Sequence, residues 1–564
     1  MLKRFLRLCS VLLTLAMLIN MLPLNAVAEE YFSADATEIV ELKPADTSSA
    51  KIIGEVKANR SKFSKRFMLD NGLYVSAVYP QPVHYEVNGQ WEEIDNTLQI
   101  NSDGTYSNKA GVWDVRFPQQ LTKNSDISIT KDGYTLSFRM AGELRQQSNV
   151  SLYGLRDTSE TFRIEENGTV QTFAVQSAQS VQGQLQKVDL SQSKQEAQFA
   201  ELIAEKNISQ LMYTDIYGTT DIRYDLKANQ VKESVILESY SSTLRGYRYT
   251  LNTGDMIPVL QADNSIYFYD AKQENVIMVM PAPYLIDNAN EMSYDIVINL
   301  TQNGSVWTLS YLLPQKWLAA NERSWPVILD PAVIANLSDT NIQDTTIISA
   351  RAWEADYMRA TLQVGYSAAD GISRILLGLD ELPSLKFSDV VIKAEMSLLR
   401  AGVGSGSIPV TVHKMLDSWA VENACWDDDL SFDTTAEDFA MVSGAGRCYW
   451  DVTNIVRYWY EEENLGMLIK ATDEVENSGN TNSWKEFYSC NYGDDPTDPA
   501  LVIWFRNNNG LESYWDYTTT SGGRAGTGYV NNYTGNLVWV HDNIGFDGNR
   551  MPVFIQNIFN TDDV

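Results

Sequence analysis

The feature that most constrains this chain is a rhythm of short alternating stretches cut by Asn-Gly and Asp-Gly pairs. Leu73 to Tyr79 and Tyr134 to Met140 are such stretches, and Asp70-Asn71-Gly72, Asn88-Gly89, Asp103-Gly104 and Asp132-Gly133 stand around them. A period of two sends alternate side chains to opposite faces of a strand. Asn-Gly and Asp-Gly tolerate the positive φ that a two-residue hairpin turn demands. From about Phe67 onward the chain is therefore expected to be a meander of antiparallel hairpins. Two stretches break the rhythm. Ser191 to Lys206 is rich in Gln, Glu and Ala, with Phe199, Leu202 and Ile203 at helical spacing, which predicts one surface helix. Val452 to Glu461 carries Ile455, Val456 and Trp459 at the same spacing, which predicts a short helix packed on the β-structure.

The N-terminus has the layout of an export signal. Lys3, Arg4 and Arg7 precede an apolar run from Val11 to Ile19, then Pro23 and the small-x-small triplet Ala26-Val27-Ala28. That order predicts a secretory signal peptide over 1–28, cut after Ala28. The run is short for a bilayer, which takes about 20 apolar residues, and no other segment reads as a membrane span. The formal net charge is −30, and a field of that sign repels nucleic acid. Of the four cysteines, Cys9 belongs to the signal, leaving Cys425, Cys448 and Cys490. Three thiols permit one bridge and a free thiol, or three reduced thiols. No CxxC pair offers a zinc site.

Catalytic patterns are missing. HExxH, GxSxG and GxxxxGK[ST] do not occur, and the three histidines, His84, His413 and His541, are widely separated in strand-like stretches. A general base needs a partner and an orienting group, so the chain is read as non-catalytic. No cofactor is expected. The acidic runs Asp427-Asp428-Asp429 and Asp494-Asp495 with Asp498 are the places where Ca2+ would bind if anywhere, although neither has EF-hand spacing.

Further along, short stretches in order carry a resemblance. Tyr79-Pro80-Gln81-Pro82-Val83-His84-Tyr85, Gly89-Gln90-Trp91, Ile94-Asp95-Asn96, Thr220 to Tyr224, Val231-Lys232-Glu233, read as a turn, and Trp325 to Pro331 resemble the N-terminal region of large secreted RHS/YD-repeat, wall-associated proteins. A second resemblance covers 336–506. Its landmarks are Leu362 to Gly365, Arg374 to Asp380 with Leu382-Pro383, Ile392 to Leu399, Val410 to His413, Ser418-Trp419, Trp426, Trp450 to Thr453 and Ala500 to Trp504. These resemble the DNRLRE domain, also classed as carbohydrate-binding module family 96, departing from it at the arginine-rich name motif, where only Arg374 stands. After Arg506, Tyr514 to Tyr517, Gly522 to Gly526, Asn531 to His541 and Gly548 to Pro552 resemble the lead-in to YD repeats.

The expected organisation is a signal peptide (1–28), a linker (29–61), a hairpin-rich RHS-associated domain (62–335), a jelly-roll-like β-sandwich (336–506) and the start of a YD-type β region (507–564). The fold class is mainly β and multi-domain. The resemblance implies a secreted or cell-wall protein with a polysaccharide or cell-wall glycan as partner. The alternative is the structural front end of an RHS-type toxin whose repeats and toxin are not in this chain. Sugars stack on exposed aromatic rings, but a tryptophan in an alternating strand is ordinarily core. Trp426, Trp450 and Trp504 fit the core reading, and Trp353 and Trp484, flanked by polar residues, are the predicted ligand-binding rings.

Overall fold

Where two residues link two strands in a type I′ turn, both turn left-handed, and the turn residues here do so. Asn88 and Gly89 have φ of 51° and 77°, Asp132 and Gly133 of 51° and 84°. They join His84–Val87 to Gln90–Glu93 and Ile127–Lys131 to Tyr134–Gln146, the latter in register Lys131↔Tyr134. The computed structural model describes residues 47–561 apart from 147–159, 167–168, 189, 191–197, 290, 335–339, 357–358, 360, 386–388, 402–405, 491–497, 508–509, 512–514 and 547–552. The expected signal peptide and the start of the expected linker lie outside the described residues. All described residues belong to the unit Thr47–Asp563. Within it the protein is mainly β and multi-domain, and the described strand pairs are antiparallel.

Two large sheets form the first sandwich. One, ten strands among the described residues, runs from Val297–Asn303 through Leu244–Asn252 and Tyr134–Gln146 to Asp95–Ile100; the other, eleven strands, includes Ser209–Tyr213, Thr220–Leu226, Gln230–Leu237, Ile266–Tyr269 and Val327–Asp330. Their inner faces share one core, in which Phe117, Leu136 and Tyr249 of the first sheet meet Tyr224, Val235 and Phe268 of the second. Phe117 and Tyr224 stand with ring centroids 5.3 Å apart.

The second sandwich draws strands from two distant stretches of the chain. Its six-stranded sheet has the order Ile52–Glu55, Ser64–Leu69, Tyr74–Val78, Ala500–Asn507, Asp389–Leu399, Arg447–Asp451. Facing it is a seven-stranded sheet built around Ile408–Lys414, Met467–Ala471, Gly371–Leu379 and Thr361–Ser367, with Ile342–Ile348 on Gly371–Leu379. Val56, Tyr74, Ile375, Met396, Val410, Trp450 and Phe505 share its core. Sheet membership therefore cuts across the sequence segmentation. The last part of the expected linker is the strand Ile52–Glu55, paired with Ser64–Leu69, and Tyr74–Val78 pairs with Ala500–Asn507 in register Val75↔Trp504. A four-stranded meander of Tyr517–Ser521, Thr527–Asn531, Leu537–Phe546 and Val553–Asn560 follows.

The two expected helices part ways. Thr453–Glu461 is a helix burying Ile455, Val456 and Trp459, as its spacing predicts. The surface helix over 191–206 is corrected. In its described part the chain makes two single turns of 3₁₀-helix, Ala200–Leu202 and Glu205–Asn207. Phe199, Leu202 and Ile203 line an apolar groove with Ala77, Val502 and Trp504 on the outer face of the six-stranded sheet, and the Tyr79 hydroxyl donates to the Leu202 carbonyl at 2.5 Å. The apolar residues serve as a plug for that face, which is why Tyr74–Val78 is buried along its whole length. Among the described residues no helix is long and apolar enough to cross a membrane.

Candidate functional site

A cleft of about 980 Å³ is large enough to hold a ligand. Ligand sites commonly enclose roughly 300–1,000 Å³. One wall comes from the eleven-stranded sheet and carries Tyr267, Tyr284, Tyr294 and Asp330; the opposite wall comes from the second sandwich and carries Trp419, Asp344, Asp380 and Glu422. Strand alternation puts these groups in place. In Tyr284–Asp287 the residues Leu285 and Asp287 are buried, so Tyr284 and Ile286 take the other face.

Each wall is fixed by its own polar contacts. The Tyr284 hydroxyl donates to Asp330 Oδ2 at 2.6 Å, and Lys232 Nζ lies 2.8 Å from the same oxygen. Burial, with the nearby Asp330 charge adding to it, pushes the Tyr284 phenol well above its usual range. The Tyr284 and Tyr294 rings stand 6.0 Å apart at 49°, and Tyr294 is 50% exposed. Opposite, Trp419 donates its indole N–H to the Leu465 carbonyl at 3.0 Å. Two glycines let the indole lie this close. A Cβ on Gly378 would meet Trp419 Cζ2 at 3.1 Å, and one on Gly466 would meet Trp419 Nε1 at 3.1 Å as well as the Leu377 carbonyl at 2.5 Å.

The carboxyls divide by role. Asp344 is buried and accepts from the Ser489 hydroxyl at 2.7 Å and the Cys490 N–H at 2.8 Å; burial outweighs both contacts and lifts its pKa to about 6. Asp380 accepts from Gln343 Nε2 at 3.2 Å, and its pKa is raised by burial and by the neighbouring Glu422 charge. Glu422 and Glu463 are exposed at the rim. Rings facing polar acceptors across a cleft form a surface suited to stacking and hydrogen-bonding a polyhydroxylated ligand.

The two predicted rings lie elsewhere. Trp353 is 81% exposed, beside Ala352, whose carbonyl accepts from Asp427 N–H at 2.9 Å. Trp484 is half-buried on the strand Asn482–Tyr488, opposite Gly365. Neither lines the cleft. Trp450 and Trp504 are core, whereas Trp426 leaves the strand context expected for it. It starts a 3₁₀ turn, half-buried, with the Arg374 guanidinium 4.9 Å from its ring centroid. The rings that do line the cleft had one sequence signal. Ser418-Trp419 sits in a stretch without alternation, so that tryptophan belongs to a loop rather than a strand interior.

His84 Nδ1 is 2.6 Å from the Ser61 carbonyl, and His413 bonds the Asp433 carbonyl and Thr411 Oγ1 at 2.8 and 2.9 Å, with burial lowering its pKa. Cys425, Cys448 and Cys490 are free thiols. In the first acidic run Asp428 accepts from the Cys425 N–H at 2.9 Å; Asp494 and Asp495 lie outside the described residues. Among the described residues no group of three or more His, Cys, Asp or Glu side chains is arranged to hold a metal ion.

No family model matches the chain. It is similar to the tRNA nuclease WapA of Bacillus subtilis (strain 168), 22% identical over 395 residues, which cover 64% of this chain and 15% of that protein. It is likewise similar to the tRNA(Glu)-specific nuclease WapA of Bacillus subtilis subsp. natto (strain BEST195) and the tRNA3(Ser)-specific nuclease WapA of Bacillus spizizenii, each 21% identical over 393 residues with the same coverage. Among solved structures, the N-terminal domain of the Streptococcus gordonii adhesin Sgo0707 aligns at 9% identity over 85% of this chain and 98% of that one, with a TM-score of 0.10, too low to bear on the fold. The chain thus spans about 15% of the length of the curated relatives it matches.

Proposed function

We propose that this chain is a non-catalytic, extracellular front part of a large wall-associated protein of the RHS type, and that it holds cell-wall polysaccharide. The observation that carries this reading is the alignment itself, which covers most of this chain and a small fraction of proteins named as tRNA nucleases. A nuclease must receive a polyanion, and proteins do so with Lys and Arg set against the phosphates. This chain has a net charge of −30, and the cleft between the two sandwiches is lined by six carboxyls and the single lysine Lys232. Both features favour the reading that the nuclease activity of the relatives belongs to a part of them that this chain does not match. The leader pattern over 1–28 supports export. Polysaccharide is favoured as the partner by the Tyr284–Tyr294 pair facing Trp419 across a cleft.

Two measurements on the purified chain test this. Incubated with total tRNA, it is expected to leave the RNA intact; mixed with purified Gram-positive cell walls, it is expected to sediment with them. Cleavage of the tRNA would overturn the non-catalytic reading, and a chain left wholly in the supernatant would overturn the wall-holding one.

A further inference from the structure

The cleft is lopsided in charge. Asp263, Asp330, Asp344, Asp380, Glu422 and Glu463 line it against Lys232 alone. Lys232 is already spent on Asp330. Asp344 and Asp380 have internal donors, and Asp263 is tied to its own turn through the Ser265 N–H and hydroxyl. Glu422 and Glu463 have no ion-pair partner among the described residues, and Glu422 repels Asp380 across the rim. A second observation is independent of these charges. Gln81 lines the same cleft, is only 9% exposed, and its Oε1 has no hydrogen-bond partner among the described residues. A buried acceptor left without a donor is costly. The site therefore carries an excess of carboxyls over its one paired lysine and a buried acceptor without a donor, and it supplies aromatic faces, which attract cations through the ring quadrupole.

We infer that the cleft binds a polysaccharide bearing free amino groups, an ammonium-carrying aminoglycan, with its sugar rings against Trp419 and Tyr294 and its ammonium groups toward Glu422, Glu463 and Asp380. An ammonium group relieves the repulsion at the rim and donates to open acceptors. An N-acetylated sugar of the same backbone has no charge to offer, and a polyanionic wall polymer is repelled. This inference rests on the reading that the chain holds wall polysaccharide and assigns the kind.

The test uses the full chain and two probes, a β-1,4-linked glucosamine oligomer and its fully N-acetylated counterpart, with binding measured by calorimetry. The glucosamine oligomer is expected to bind roughly tenfold more tightly. The preference should shrink between about 0.1 M and about 1 M salt, as the screening length falls from roughly 10 Å to roughly 3 Å. A Glu422→Gln/Glu463→Gln variant, altered only at exposed positions, should lose most of the preference and keep the weaker binding. Trp419→Ala should weaken both probes. Equal binding of the two probes, or binding of neither, overturns the inference. So does an oligolysine that binds the chain as tightly as the glucosamine oligomer, because charge alone would then suffice. If walls still retain the chain in these cases, the wall-holding reading survives; if walls do not retain it, that reading fails on its own measurement.

Discussion

Glu233 sits between two phenols at the centre of the first sandwich. Tyr224 donates to one of its carboxyl oxygens, and Tyr249 donates to the other at 2.9 Å. Burial lifts its pKa from 4.5 to about 7, against the lowering effect of the two hydroxyls and with a further rise from Asp330. Between those two values the folded chain holds a proton that the unfolded chain has released, so stability falls as pH rises through the window. For a shift of this size the loss is on the order of 3 kcal/mol. Asp344, raised from 3.8 to about 6, acts with the same sign in a lower window. Glu233→Gln keeps an acceptor for one phenol and a donor for the other, without the charge. Thermal melts from about pH 5 to about pH 7.5 should show the wild type losing Tm with rising pH and the variant losing distinctly less. Parallel curves would mean that Glu233 titrates alike in both states. None of this was legible in the sequence. Val231-Lys232-Glu233 reads as a turn beside a strand, but the structure places it inside Gln230–Leu237, paired with Thr220–Leu226 in register Tyr224↔Glu233. The phenol from Leu244–Asn252 reaches it only through tertiary packing.

Elements were legible where the information is local. A two-residue turn of type I′ needs positive φ at both positions, and Asp132-Gly133 announces this in two letters. Gly133, with φ of 84° and open space where a Cβ would stand, isolates the backbone term from any clash. Gly133→Ala should cost about 1 kcal/mol, read as a lower urea midpoint at unchanged slope. A midpoint equal to wild type would show that the hairpin tolerates another turn type. The helix Thr453–Glu461 was equally local, since Ile455, Val456 and Trp459 already mark one face. The stretch from Phe199 to Ile203 has a similar spacing and a different outcome, because what its apolar side chains meet is a groove under Ala77 and Trp504. Periodicity records which residues seek cover, and the backbone that delivers them there is decided by the surface they find. The cleft was illegible for a related reason. Its two walls are supplied by different sandwiches, so no single window of sequence holds Tyr284, Tyr294, Trp419 and Gln81 together.

At the scale of the molecule, the pairing of Tyr74–Val78 with Ala500–Asn507 makes the second sandwich depend on the first strands of the described chain. Ala500–Asn507 is central in its sheet, held on one side by Asp389–Leu399 and on the other by Tyr74–Val78. The join is more than backbone. Arg66 Nη1 lies 2.9 Å from Asp389 Oδ2, with both side chains nearly buried, its Nη2 donates to the Ser384 carbonyl at 2.8 Å, and its guanidinium covers the Phe505 ring at 4.6 Å. A fragment limited to 336–506 keeps Asp389 and loses that guanidinium, an imbalance that costs about 3–5 kcal/mol when a buried pair is broken. It also exposes one edge of Ala500–Asn507 and uncovers the faces of Leu501 and Phe505 that met Tyr74 and Val78. Domains are stable by only about 5–15 kcal/mol, so those losses are enough to remove a cooperative fold. The fragment 336–506 is therefore expected to melt without a sigmoidal transition and to associate through its open edge, while 47–506 melts as a cooperative unit. Equal cooperative melting of the two fragments would mean that strands 52–78 only decorate a sandwich complete without them. Failure of the shorter fragment alone would show that one fold has been assembled from two distant stretches of the chain, with the first sandwich inserted between its strands.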